Sequence, residues 1–320
     1  MCPIFFFAAS LSLPWFSNTS PPPPPAPAPA HKLSTGAASS AIDATYKLAI
    51  EEAIAFSPSA FNRTLKLGAH QNPLTDKFTS HHYETMYGLF LYPLREARLK
   101  LFEIGLGCKH ALTDARSARF WRRFLPNADL WVAELSEACV EYAKKKGLLD
   151  GIHVVTGSQG NYSTLRSWIA TSGGQFDVVV DDGSHFNSHI MMSFSALWPE
   201  VVPGGFYFIE DMEVGMRKPF EDTGGSGLML QVIQAWQEQL VYQPKRVNKT
   251  LACRHPLPYD LAFVFCQNDA CMLGKAKDQA ARHDQGQVWR GRRSMTKKQC
   301  EALGIEEWAM SEKHTAIAGS

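Results

Sequence analysis

The sequence has no excess of charge of either sign. Its 32 Lys and Arg stand against 31 Asp and Glu, a formal net charge of +1. That balance argues against a dedicated binder of nucleic acid or of anionic membranes. The densest basic run, Arg290-Gly291-Arg292-Arg293, has no interleaved aromatic residues and reads as a solvated turn. Long apolar runs are also missing. Ile4 to Phe16 has the length of a signal-peptide core, too short for a membrane span, and no positive side chain precedes it. No internal repeat is visible. Cysteine is sparse and unpatterned: Cys2, Cys108, Cys139, Cys253, Cys266, Cys271 and Cys300 show no paired metal-binding spacing. An odd, scattered set reads as ordinary buried or free thiols, with one disulfide among Cys253, Cys266 and Cys271 if the compartment oxidises.

What remains is a chain of 320 residues, 45% hydrophobic, long enough to bury a large core. Its start is a leader followed by a proline-alternating spacer from Pro21 to Ala30, so residues 1–40 are set apart from the folded part. The leader leaves the cytoplasm as the default location and the secretory pathway as the alternative. Sequons at Asn18, Asn62, Asn161 and Asn248 are of a kind common by chance.

Ala41 to Phe56 and His81 to Leu94 carry apolar residues at helical spacing. From there strands and helices alternate, which predicts a doubly wound, mostly parallel α/β sheet. The expected strands are Leu99–Ile104, Leu130–Ala133, His153–Val155, a fourth ending at Asp181-Asp182 and a fifth ending at Glu210-Asp211. Helices are expected over Asp114–Phe124, from Ser136 to Lys146, over Ser163–Ala170, His185–Leu197 and Gly224–Val241. A further strand is expected at Leu261–Phe265, and the polar tail after Gln267 resists assignment.

In such sheets ligands bind at the carboxyl ends of the strands, and acids collect there. Glu103-Ile104-Gly105-Leu106-Gly107 closes the first strand, and Glu134 closes the second. Asp181-Asp182-Gly183-Ser184-His185 follows the fourth, and Glu210-Asp211 ends the fifth. The glycines allow a ligand to approach backbone at a helix N-terminus. A dinucleotide fingerprint from Gly105 needs a small residue where His110 stands, and Glu103 suits a positive amino group better than a pyrophosphate. Glu134 fits a ribose diol. Carboxylates gathered at one edge repel unless something positive sits between them, and a metal ion is the simplest candidate.

The acid-glycine turn, the acid at strand two and the acid at strand four look like a class I S-adenosylmethionine-dependent methyltransferase, with Lys109 in place of a frequent third glycine. More specifically, Asp76-Lys77 with Thr79, His81 and Tyr83, Leu101 to Gly107, Gly157-Ser158-Gln159, Asp181 to His185, and Pro203-Gly204-Gly205 through Glu210-Asp211 resemble the macrocin and mycinamicin sugar O-methyltransferases. The cephalosporin hydroxylase-like proteins are similar at a greater distance. The matching stretches cover somewhat under half of the chain.

The resemblance implies S-adenosylmethionine as cofactor and a magnesium ion held by Asp182, Glu210 and Asp211. It implies His185 as general base, with Glu103, Gly105, Gly107, Glu134, Ser158, Gln159 and Asp181 toward the cofactor. The implied organisation is an N-terminal helical lid over 41–95, the methyltransferase domain over 96–270 and a C-terminal extension over 271–320. The expected reaction is methylation of a hydroxyl on a small-molecule acceptor of secondary metabolism or a sugar, with no nucleic acid partner and no stable membrane span; a homo-oligomer is left open. Capping of the following helix by Asp182 or His185 is the bland alternative for those residues. Methylation of nitrogen in a modified peptide or natural product is an alternative within the class. An NAD(P)-dependent oxidoreductase and a noncatalytic secreted protein of the same fold are alternatives outside it. A disulfide among the late cysteines would favour the secreted reading.

Overall fold

The computed structural model describes residues 75–108, 112–222, 227–241, 248–258, 260–276 and 300–301. The leader, the spacer, the expected helix at Ala41–Phe56, Lys109, His110 and the basic run at 290–293 lie outside them. None of the described helices is long and apolar enough to cross a membrane.

Two helices, α1 (Asp76–Thr79) and α2 (Glu84–Leu91), precede the sheet, and the chain continues from α2 into a short 3₁₀ turn at Tyr92–Leu94. Then follow β1 (Lys100–Ile104), α3 (Arg116–Phe124), β2 (Asp129–Glu134), α4 (Glu137–Lys145), β3 (His153–Thr156), α5 (Tyr162–Ser172), β4 (Phe176–Asp181), α6 (Asn187–Leu197) and β5 (Val201–Ile209). The chain closes with α7 (Met229–Val241), α8 (Lys249–Arg254), β6 (Leu261–Gln267) and β7 (Ala270–Lys275). The strands form one sheet in the order β3-β2-β1-β4-β5-β7-β6. β1 to β5 pair in parallel, while β7 runs antiparallel to both β5 and β6. This is the Rossmann-like fold of class I methyltransferases.

Local chemistry accounts for several boundaries. Ser136 caps α4 by accepting from Cys139 N, and Asn161 caps α5 by accepting from Ser163 N and Thr164 N. Gly173, at φ 78°, ends α5 in the left-handed region that glycine adopts without steric penalty. The strands read as continuous apolar runs because both faces of the sheet are covered. Phe102, Ile104 and Val179 pack with Trp168, Phe194 and Trp236 on one face. Leu101, Val178, Val180 and Phe208 pack with Tyr83, Tyr87 and Trp121 on the other. The tyrosines of the N-terminal helical segment are therefore part of the sheet's own core.

The sheet also extends beyond its expected end. Ala270–Lys275 is a fully buried strand between β5 and β6, and all but its first residue lies in the stretch read from sequence as a C-terminal extension. Its last residue hid it: Lys275 is buried, but its ammonium meets Asp260 and the Trp198 carbonyl.

Phe102 is fully buried at the middle of β1, against Trp168 and Phe176. Phe102→Ala is expected to cost about 3–5 kcal/mol through the cavity it leaves, read as a lowered urea midpoint.

Candidate active site

β1, β4 and β5 end in line, with Ile104 opposite Asp181 and Asp181 opposite Ile209. The residues that follow therefore emerge side by side at the carboxyl edge. Asp182 N donates to the Ile104 carbonyl at 3.1 Å, and Glu210 N donates to the Asp181 carbonyl at 3.0 Å. A cleft of about 880 Å³ opens there. Its wall includes Gly105, Gly107, Glu134, Ser158 and Gln159 at one side and Asp182, His185 and Asp211 at the other.

The glycine loop packs tightly on the end of β4. Gly105 has φ 106°, and a Cβ there would lie 2.0 Å from the Asp182 carbonyl oxygen. Glu134 holds the loop from beneath: its Oε2 accepts from Leu106 N at 3.1 Å and its Oε1 from Ser136 N at 2.9 Å. Gln159 bridges two strand ends, donating to Asp181 Oδ1 at 2.7 Å and accepting from Ser184 N at 2.9 Å.

The central finding at the acid cluster is Lys77. Its side chain is 1% exposed, and its ammonium contacts Asp182 Oδ2 and Glu210 Oε2 and lies 3.5 Å from Glu103 Oε1. Burial alone would lower this group, but Asp182, Glu210 and Glu103 outweigh it and hold the lysine well above its ordinary value. Glu210 also accepts from the buried Tyr87 hydroxyl, so both of its oxygens are engaged. From sequence, Asp76-Lys77 stands out only by its place in the family resemblance. A lysine directly after an aspartate at a helix start carries no sign that it will be buried.

Asp211 stands apart from this inner group. Tyr83 donates to its Oδ1 at 2.8 Å, and His185 Nε2 lies 3.7 Å from its Oδ2. His81 Nδ1 lies 3.4 Å from Asp211 Oδ1 and from Asp269 Oδ2. Burial raises the Asp211 carboxyl and the charge of Asp182 adds to that, while Tyr83, His185 and His81 oppose it. Both His185 (φ 59°) and Asp211 (φ 53°) sit in the left-handed region, which costs of order 1–3 kcal/mol each for a non-glycine residue. Such strain collects where geometry serves a ligand.

The donor atoms of Asp182, His185 and Asp211 lie within 4.8 Å of one another. Lys77 is the only lysine or arginine whose ion pairs reach Glu103, Asp182, Glu210 or Asp211 among the described residues. Burial and the neighbouring charge of Asp182 raise the carboxyls of Glu103, Glu210 and Asp211 even with Lys77 present, so a further cation would be favoured at this edge. Asp182 and Asp211, with side chains 24% and 20% exposed, turn toward the cleft and fit a hard divalent ion, which prefers oxygen ligands.

Two placements correct the expectations. Asp181 does not face the cleft. It is 1% exposed and accepts from Gln159, Ser193 and Tyr207 on the α6 face of the sheet. Alternate residues of a strand point to opposite faces, so the step from Asp181 to Asp182 separates two adjacent acids. Burial pushes the Asp181 carboxyl up to about 6 despite those three donors. Glu103 likewise lies behind the cleft wall, fully buried, accepting from Ser117 and from Trp121 Nε1. Its Oε2 has no hydrogen-bond partner among the described residues. His189 reaches the cleft wall and pairs with Ser184 Oγ at 2.8 Å.

No protein-family model matches the chain. It is 34% identical over 207 residues to the mycinamicin VI 2''-O-methyltransferase of Micromonospora griseorubida, covering 59% of this chain and 49% of that protein. It is 30% identical over 205 residues to the demethylmacrocin O-methyltransferase of Streptomyces fradiae, covering 60% and 50%. The resemblance to these sugar O-methyltransferases holds in sequence and in fold. A solved structure of the MycE methyltransferase from the mycinamycin biosynthetic pathway, in complex with Mg, SAH and mycinamycin VI, superposes with a TM-score of 0.50 at 25% identity, covering 63% of this chain and 51% of that one. The chain spans about half the length of the curated relatives it matches.

Removing the inner cation should be costly. Lys77→Met leaves buried carboxylates unpaired and is expected to lower the unfolding free energy by about 3–5 kcal/mol in urea denaturation. An unchanged midpoint would mean that the carboxyls are protonated and need no counter-ion.

Proposed function

We propose that this chain is an S-adenosylmethionine-dependent methyltransferase that, with a divalent metal, methylates a hydroxyl of a small, sugar-bearing molecule. The observation that carries this reading is the convergence of Asp182, His185 and Asp211 at one end of a cleft whose other end is a glycine loop and a strand-end acid. The relatives named above are O-methyltransferases, and the MycE structure carries Mg and SAH.

In this reading Gly105 and Gly107 let the backbone lie against the methionine portion of the cofactor, and Glu134 faces its ribose. Ser158 and Gln159 border the adenine end. Glu103 makes the region behind the loop negative, with one unpaired oxygen to attract an amino group. Asp181 acts indirectly, holding Gln159 in place. S-adenosylmethionine supplies the sulfonium methyl. Asp182 and Asp211 would hold the magnesium ion, and Glu210 would join them only with an oxygen that Lys77 or Tyr87 gives up. The ion would lend Lewis acidity toward an acceptor hydroxyl.

His185 borders the cleft next to both outer acids and takes the proton of the acceptor. An imidazole nitrogen can accept a proton from a hydroxyl, which suits a general base. Its strained backbone fixes the ring at the cleft rather than in the helix that follows. Residues of the N-terminal helical segment, His81 and Tyr83, close the same edge and limit water there, consistent with a covering element.

The late disulfides described below fit the alternative of a secreted protein, and an assay decides whether chemistry is retained. Methyl transfer from S-adenosylmethionine to glycosylated small molecules is expected, and binding of NAD instead would contradict the reading. His185→Ala should lower turnover by about 100-fold or more while binding of S-adenosylhomocysteine survives. Chelator-treated enzyme should lose activity and recover it with magnesium, and Asp182→Asn should not recover.

A further inference from the structure

Six of the seven cysteines are paired, in Cys108–Cys139, Cys253–Cys300 and Cys266–Cys271. Cys266–Cys271 lies among the late cysteines where one disulfide was expected, and the other two pairs correct the expectation of ordinary thiols. Sequence separation concealed two of the pairs, whose partners lie 31 and 47 residues apart. Disulfides of this kind persist in oxidising compartments and are rare where thiols are kept reduced.

The first pair differs from the others by its place. Cys108 directly follows Gly107 and borders the cleft. Cys139 is fully buried in the first turn of α4, where its N–H is the one Ser136 caps. The glycine loop and the start of α4 are thus joined twice. Glu134 links Leu106 N to Ser136 N by hydrogen bonds, and the disulfide links Cys108 to Cys139 two and three residues further along. On its opposite flank the loop is wedged against the Asp182 carbonyl at Gly105. None of the other four paired cysteines borders the cleft.

We infer that the Cys108–Cys139 disulfide is a positioning device for the cofactor loop, so that the oxidised chain binds the cofactor tightly and the reduced chain binds it weakly. The inference rests on the cofactor assigned under the proposed function. A loop tied to α4 has less freedom to lose when a ligand orders it, and that freedom is a cost of binding. Forming the bond joins the two sulfurs and passes two electrons and two protons to a partner disulfide by thiol exchange. A dithiol reverses the step and closes to its own disulfide. The enzyme therefore operates in a compartment that lets disulfides persist.

Two measurements test this. Alkylation of the native protein without reductant, followed by peptide mass mapping, should recover Cys108 and Cys139 as one linked peptide. An alkylated Cys108 would overturn the inference whatever the chain binds. Calorimetry with S-adenosylhomocysteine should then show roughly tenfold weaker binding by the double variant Cys108→Ser/Cys139→Ser, a difference of about 1.4 kcal/mol. Cys266→Ser/Cys271→Ser should match the parent. Mild reduction of the folded parent with dithiothreitol should reproduce the loss without any substitution, and should add nothing in the double variant. Equal affinity in the oxidised and reduced parent overturns the inference. A parent that binds no S-adenosylhomocysteine in either state overturns the cofactor assignment instead, a failure that the peptide map separates from that of the disulfide.

Discussion

The buried ammonium of Lys77 is the constraint on which the acid edge depends. Three strands deliver carboxylates to one place, and Glu103 and Glu210 are removed from water almost completely. Such groups ionise together only with a counter-charge in contact. Lys77 supplies it from α1, outside the sheet, and so ties the N-terminal helical segment to the strand ends by charge as well as by packing. Tyr83 and Tyr87 reinforce the tie: each is buried in the core of one sheet face and gives its hydroxyl to an acid, Asp211 and Glu210 respectively.

That arrangement divides the acids by depth. The inner pair, Glu103 and Glu210, is committed to Lys77, Tyr87, Ser117 and Trp121. The outer pair, Asp182 and Asp211, keeps partial exposure and faces the cleft beside His185. The lysine thereby preserves a negative site without filling it. The glycine loop approaches the same edge from β1, held by Glu134 below and by Cys108 beyond, so the two halves of the cleft are fixed by independent means.

Much of the fold is legible in the sequence because parallel strands buried on both faces are continuous apolar runs, and Val178-Val179-Val180 or Phe206-Tyr207-Phe208 can hardly be read otherwise. The helix start at Ser136 is visible for the capping reason, while the cap at Asn161 lies just before the start expected at Ser163. β7 is not, because the run Ala270-Cys271-Met272-Leu273 is short and ends in Gly274-Lys275, a strand only if the lysine finds Asp260. The site is legible as a list of acids and a histidine, since strand ends gather them. Its internal geometry is not. Whether Asp181 or Asp182 faces the cleft depends on which residue of β4 ends the pairing, and one step reverses the answer. Lys77 and the Cys108–Cys139 pair are contacts over long sequence separations, and no local pattern announces them.

The central claim is that Lys77 neutralises the buried acids and one oxygen of Asp182, and leaves Asp211 and the other Asp182 oxygen for a cation. A crystal structure of the full chain with S-adenosylhomocysteine and manganese, which gives an anomalous signal, tests it most directly. The account predicts an ion between the Asp182 and Asp211 carboxylates, with the Lys77 ammonium still on Glu210. An ion seated where that ammonium lies, with the lysine expelled, or no ion at Asp182 at all, would contradict it.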